Sequence, residues 1–107
     1  MVIQPGGTSV GGTAGTSSSA AIAIPPLSNG ANPKWVHIAI ISQDNGAVFL
    51  FGQSGVDDAT QTNGIGLHPY GVDAIVNVAG NTHYKSIAIT ASTKYTMTPL
   101  AGITAGG

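Results

Sequence analysis

The sequence contains three histidines, whose imidazole side chains can ligate zinc or transfer protons near neutral pH. They are His37, His68 and His83, and they lie far apart in the sequence. Three imidazoles could form a zinc site only if the fold brought them together, and no short ligand spacing supports that arrangement. We therefore expect each histidine to have a hydrogen-bonded structural role, and we expect no metal site.

Other residue types that could carry catalysis are scarce. Ser54 lies in a Gly-Gln-Ser-Gly stretch, which differs from the G-x-S-x-G turn that presents a nucleophilic serine between a strand and a helix. Asp57 and Asp58 could contact a hard cation, but Ca²⁺ takes roughly six to eight oxygen ligands and the neighbouring residues offer few carboxylates. The chain has no cysteine and no glycine-rich phosphate loop. We expect no enzyme activity, no catalytic residues and no cofactor.

Two aromatic residues are candidates for binding. Trp35 begins an apolar stretch, and Tyr70 follows His68 and Pro69 in a loop-like stretch. Trp35 is expected to anchor the core or an interface. Either ring could instead form a platform on which a sugar stacks, because aromatic faces combine a large apolar area with a defined orientation.

The charged fraction is the most unusual feature of the composition. Only 7% of the 107 residues are charged, against about 25% in ordinary soluble domains. An independent monomer normally uses surface charge for solubility and for protection of its strand edges. A surface rich in Ser, Thr and Asn is one explanation, and coverage of the surface by partners in a permanent assembly is the other. We favour the second explanation.

Charge and hydropathy also exclude two classes of partner. The net charge is −1, so there is no electrostatic basis for binding nucleic acid or an anionic membrane. No stretch approaches the ~18 consecutive apolar residues of a membrane-spanning helix. We expect neither a nucleic acid nor a membrane as partner.

Residues 34–52 carry the strongest structural signal. Two apolar stretches, 35–41 and 47–51, flank the turn-like Asp44-Asn45-Gly46. An Asn-Gly pair between two β-rich stretches predicts a β-hairpin with a type I′ turn, which needs positive φ angles. On this basis Gly46→Ala is expected to be poorly tolerated. Both faces of 35–41 are mostly apolar, with Trp35 and His37 on the same face, so this strand is expected to be central.

The remaining strands follow from short alternating stretches separated by glycine-containing turns. Strands are predicted over 20–24, 72–78, 82–90 and 94–98, with Tyr95 and Met97 pointing inward and Pro99 ending the last strand. No stretch favours a helix. The pattern predicts an all-β fold, a small antiparallel β-sandwich of jelly-roll type.

The two ends of the chain lack this pattern. Residues 1–19 contain five glycines, seven Ser or Thr and no charge, so they are predicted to form an extended arm before a sandwich over 20–100. Residues 101–107 are predicted to form a tail. The arm is expected to be mobile in the isolated protein and to add as a strand to a neighbour's sheet, with Val2, Ile3 and Val10 as anchors. A passive linker is the alternative.

From Trp35 onward the chain resembles small β-sandwich proteins of tailed-phage virions, in particular capsid decoration or cement proteins. The resemblance lies in WVHIAIISQDNGAVFLFGQSGV, then GLHPYGVDAIVNVAGNTHYKSIAI, then KYTMTPL, and it covers about two thirds of the chain. The long uncharged segment 1–19 and the absence of arginine depart from it.

The resemblance implies a structural protein on the capsid surface that binds the major capsid protein and clamps its subunits together. We also expect a homo-oligomer, a dimer or a trimer. Val2, Ile3, Val10, Trp35 and Tyr70 are the candidate interaction residues. Two alternatives stay open: a connector or tail-associated component of the same particle, and a carbohydrate-binding β-sandwich that uses Trp35 or Tyr70.

Overall fold

Nine β-strands make up the regular structure of a computed structural model that describes residues 2–42, 45–60, 62–67 and 74–104. They are β1 (Val2–Pro5), β2 (Val10–Ala14), β3 (Ile22–Ala23), β4 (Trp35–Ile40), β5 (Ala47–Gly52), β6 (Ile65–Leu67), β7 (Ala74–Asn77), β8 (His83–Ala88) and β9 (Thr93–Thr104).

The strands form two antiparallel sheets that pack face to face. In sheet A, β1 and β2 both pair with one side of β9, and β4 and then β7 follow on its other side. Sheet B has the order β3-β8-β5-β6. The predicted all-β fold with two packed antiparallel sheets is confirmed, whereas the jelly-roll topology stays a prediction.

Alternation along the strands determines which side chains face the core. In β4, Val36, Ile38 and Ile40 are buried, while the residues between them are only half-buried. In β9, Tyr95 and Met97 point inward as predicted. Because successive side chains of a strand point to opposite faces, β4, β8 and the first half of β9 contribute every second residue to one shared core.

Three aromatic rings form the centre of this core. Phe49 of β5 lies with its ring centroid 4.8 Å from that of Tyr95 and 6.2 Å from that of Tyr84, and the Phe49–Tyr95 pair is edge-to-face. The two buried tyrosine hydroxyls lie 2.8 Å apart and hydrogen-bond to each other across the sheets. Burial, and then the hydrogen bond with Tyr95, raises the pKa of Tyr84 well above its usual value. Each buried hydroxyl therefore has one hydrogen-bond partner within the core.

The predicted hairpin over 34–52 is wrong in its pairing. β4 pairs with β9 and β7 in sheet A, whereas β5 pairs with β8 and β6 in sheet B. The connection therefore crosses between the sheets, and the two apolar strands face each other across the core. Positive φ angles occur among the described glycines at Gly30, Gly64 and Gly80 but not at Gly46, which removes the basis for the type I′ turn. Asp44 lies outside the described residues.

Pro99 does not end the last strand. β9 continues to Thr104, and the stretch predicted as a tail pairs with β1 over 102–104. The N–H and C=O groups of one residue in an antiparallel strand point to the same side. The Pro99 carbonyl accepts the Gly6 N–H at 2.8 Å, so the N–H that proline lacks would also point into the gap between β1 and β2. Proline is tolerated in a strand at such an interruption, and the register of β1 shifts close by, between Gln4 and Pro5.

The N-terminal segment lies within the sandwich and does not form a separate arm. After β2 the chain crosses to sheet B and follows β8: the Ala88 N–H bonds to the Gly15 carbonyl at 2.7 Å, and the Ser19 N–H bonds to the Ser86 carbonyl at 2.9 Å. Ala14 is fully buried in the core. Residues 2–24 thus form one edge of sheet A and one edge of sheet B. This backbone pairing explains why a segment so poor in apolar residues is ordered.

Ser86 offers a test of this arrangement, because its hydroxyl is fully buried and has no hydrogen-bond partner among the described residues, while its N–H bonds to Ser19 Oγ at 3.0 Å. Ser86→Ala is expected to raise stability by about 1 kcal/mol, since a buried unsatisfied hydroxyl is costly. Ser19→Ala is expected to lower stability by about 1 kcal/mol, since it leaves the Ser86 N–H without its acceptor. Urea denaturation of both variants measures the difference, and equal shifts of the same sign would contradict it.

Candidate interaction surface

The structure does not bring the candidate catalytic and metal-binding residues together. His37 lies on the outer face of sheet A, whereas His83 lies on the outer face of sheet B with its Nδ1 2.8 Å from the Thr82 hydroxyl. His68 lies outside the described residues. Within the described part of the chain, no three His, Cys, Asp or Glu side chains form a group that could hold a metal ion.

The candidate residues Asp57, Asp58 and Ser54 lie at the surface near the end of β5. Asp58 is exposed and accepts a hydrogen bond from Lys85 Nζ at 2.9 Å, which is a surface ion pair. Such pairs contribute little to stability because solvent screens them. Ser54 lies in the turn that follows β5 and is also exposed.

The outer face of sheet A is the most distinctive surface of the described chain. Adjacent strands place its side chains in cross-strand rows: Leu100, Trp35 and Asn77 form one row, Thr98, His37 and Ile75 form the next, and Thr96 and Ala39 form the third. None of these eight residues is a Lys, Arg, Asp or Glu. Most are half-buried, so apolar and neutral polar groups are presented together to solvent.

Two pockets indent this face at the end nearest β1. The first, of about 360 Å³, is lined by Pro5, Gly7, Ser9, His37, Thr98 and Leu100. The second, of about 420 Å³, is lined by Leu27, Asn32, Lys34, Trp35, Leu100, Ala101 and Gly102. Leu100 lines both pockets and is itself buried, so its side chain separates two adjacent depressions.

Polar groups in the pockets have defined positions. In the first pocket, the Ser9 and Thr98 hydroxyls hydrogen-bond to each other at 2.6 Å beside the His37 imidazole. In the second pocket, Lys34 is the one charged residue among the described lining residues, which include Trp35. A surface of this kind can bind an uncharged partner by apolar contact and a few hydrogen bonds, as interface cores do.

Two glycines bring the N-terminal segment close enough to form the pocket walls. The Gly6 N–H bonds to Pro99 while its carbonyl accepts the Ser28 N–H, both at 2.8 Å. A Cβ on Gly7 would lie 2.7 Å from the Pro26 carbonyl oxygen, and one on Gly6 would lie 2.6 Å from the Leu27 side chain. Only glycine permits this approach.

The predicted interaction residues that the structure describes lie on three different strands. Val2 and Ile3 lie on β1, in register with Thr104 and Ile103 of β9. Val10 lies on β2 and is 42% exposed. Trp35 lines the second pocket, and Tyr70 lies outside the described residues.

Sequence reasoning missed most of the pocket-lining residues. The alternation in β4 does place Trp35 and His37 on one face. The other members, including Ser9, Thr98 and Leu100, come from β9 and from the chain between β1 and β2. No local sequence pattern signals that these distant segments meet.

No family model matches the chain, and the searches of curated proteins and of solved structures found no match either. Among the residues that the structure describes, there is no helix with the length and apolar character required to span a membrane.

Proposed function

We propose that this chain is a structural protein of a tailed-phage virion that binds the major capsid protein and stabilises the capsid lattice, as decoration or cement proteins do. The observation that carries the proposal is the outer face of sheet A, which has no charged residue in its three rows and contains two adjacent pockets. The resemblance of the sequence to virion β-sandwich proteins gives the proposal its partner and its place on the capsid surface.

The chain as a whole is large enough for an interface of ordinary size. One side of a stable protein interface covers about 800 Å², which is about one seventh of the 5519 Å² that the chain exposes. A decoration protein does not need a high affinity at each site, because an oligomer that contacts several lattice subunits at once gains from effective concentration. Burial of neutral groups such as Ala39 and Thr98 avoids the desolvation penalty that buried charges carry.

The test compares two variants that each add one positive charge. Ala39→Lys places an ammonium in the third row of the outer face, whereas Thr90→Lys places it at an exposed position that follows β8. Shells of the phage that encodes this chain are incubated with each variant and sedimented. Ala39→Lys is expected to weaken shell binding at least about tenfold, since a charge must be desolvated at the interface. Thr90→Lys is expected to bind like the unmodified chain.

Two outcomes would contradict the proposal. If the unmodified chain does not co-sediment with the shells, the capsid role is wrong. If Ala39→Lys binds as tightly as Thr90→Lys while both remain folded, the outer face of sheet A is not the binding surface. Thermal melts of both variants are the control for folding.

The carbohydrate-binding alternative is supported by the second pocket. The Trp35 ring lies there with Asn32 and Lys34, a combination of aromatic face and hydrogen-bond donors that suits a sugar. Binding of the isolated chain to an array of neutral glycans, abolished by Trp35→Ala, would favour this alternative over capsid binding. A connector or tail-associated role would instead appear as a copy number too low for a lattice.

A further inference from the structure

β7 is the edge strand of sheet A on the side away from the N-terminal segment. It pairs with β4 on one side, and on its other side no strand lies in the part of the chain that the structure describes. The Val78 N–H donates to the Lys34 carbonyl at 2.8 Å, in continuation of the Val36–Val76 register. In an antiparallel ladder the bonded residues alternate, so Ile75 and Asn77 direct their N–H and C=O groups away from β4.

The other described edges carry features that prevent further pairing. The β1–β2 edge is interrupted between its strands and has a register shift at Pro5. β3 has only two residues, with Pro25 and Pro26 soon after it, and β6 has three, one of which is Gly66. β7, with the sequence Ala-Ile-Val-Asn, has no proline, glycine, charge or register shift. Natural proteins protect an edge with such features, and an edge without them is a template for another strand.

We propose that β7 joins two copies of this chain, pairing antiparallel with β7 of the second copy about a two-fold axis at Val76. In this register Ile75 lies opposite the partner's Asn77, and Asn77 lies opposite the partner's Ile75. The outward N–H and C=O groups of both residues then form four backbone hydrogen bonds. One sheet of ten strands results, because each copy contributes the five strands of sheet A.

The side chains are compatible with this self-pairing. Val76 packs partly against the core, so the two Val76 side chains meet on the inner face and extend the apolar core. Ile75 and Asn77 lie on the outer face, and within the described strand β7 no charged side chain opposes the approach of an identical strand. A second copy fits this edge because its β7 supplies the same alternating groups, as two-fold interfaces require. The outer faces of both copies then lie on the same side of the joined sheet.

Single cysteines test the register, since the chain has no cysteine of its own. At a non-hydrogen-bonded antiparallel pair the two Cα atoms are about 4.5 Å apart, which is within the range of a disulfide. Val76→Cys is therefore expected to give a disulfide-linked dimer as the main species after mild oxidation. Ile75→Cys is the matched control, because its two-fold mate lies diagonally at roughly 8 Å, beyond disulfide reach. A monomeric Val76→Cys, or equal cross-linking of both variants, would overturn the proposal.

A second pair of variants tests the interface without cross-linking. Ile75→Pro removes an outward N–H that bonds to nothing in the described chain, whereas Ile75→Val retains it. Sedimentation equilibrium is expected to show a dimer for the unmodified chain and for Ile75→Val, and a dimer at least about tenfold weaker for Ile75→Pro. A monomeric unmodified chain, or equal dissociation constants for the two variants, would also overturn the proposal. Circular dichroism checks the fold of Ile75→Pro, and if that variant unfolds the cysteine experiment decides.

Discussion

Deletion of residues 2–14 is expected to lower the melting temperature by more than about 20 °C or to abolish cooperative unfolding. The segment contains β1 and β2, which pair with β9 along most of its length. It also contributes Ala14, which is fully buried, and Gly12, whose missing side chain leaves room for the Tyr95 ring. Loss of this pairing and burial is expected to cost more than about 5 kcal/mol, a large share of the ~5–15 kcal/mol that stabilises a typical domain.

The deletion distinguishes between a separate arm, which the sequence predicts, and a segment paired within the sandwich, which the structure shows. The composition of 1–19 predicts an arm whose removal leaves the sandwich folded, so an unchanged melting temperature after the deletion would support that prediction. Thr13→Ala is a control within the same segment, because Thr13 is exposed and its backbone pairing with Lys94 does not depend on the side chain. It is expected to change stability by less than about 0.5 kcal/mol. Differential scanning calorimetry measures both variants.

Phe49→Ala is expected to have the largest effect of any single core substitution considered. Its side chain is fully buried, and its ring contacts both Tyr84 and Tyr95 at the centre of the core. Truncation of a buried phenylalanine to alanine removes apolar contacts and leaves a cavity, and it typically costs about 3–5 kcal/mol. Guanidinium denaturation of the folded chain measures the loss.

Phe51→Ala provides the matched control two residues along the same strand. Phe51 is only half-buried, and its ring centroid lies 5.9 Å from that of Tyr84. Because part of the ring already contacts water, its removal is expected to cost about half as much as Phe49→Ala. A loss for Phe51→Ala equal to or larger than that for Phe49→Ala would contradict the placement of Phe49 at the centre of the core.

The parts of the fold that the sequence predicts are those that depend on local alternation. The strands β4, β5 and β8 and the first half of β9 appear close to their predicted positions, because short β-branched and aromatic stretches favour strands whatever lies beside them. The inward direction of Tyr95 and Met97 follows from the same alternation. Trp35 and His37 share a face for this reason as well.

The parts that the sequence does not predict depend on contacts between distant residues. An Asn-Gly pair favours a tight turn, but it does not determine whether the flanking strands pair with each other or face each other across a core. Backbone hydrogen bonds to β9 order β2, and such bonds do not depend on the side chains. The sequence of β2, Val-Gly-Gly-Thr-Ala, therefore shows no apolar alternation from which the strand could be predicted. The first pocket likewise needs Ser9 and Leu100 to meet, although they lie 91 positions apart in the sequence.

The copy number of this chain in purified virions tests the proposed function most directly. Under the proposal the chain is encoded by a tailed phage, and quantitative mass spectrometry of particles of that phage, with isotope-labelled peptides as standards, gives the molar ratio of the chain to the major capsid protein. A protein that binds the lattice through the outer face of sheet A is expected at a fixed ratio, in numbers set by the lattice symmetry. Its absence from the particles, or its presence in only a few copies per particle, would contradict the proposal.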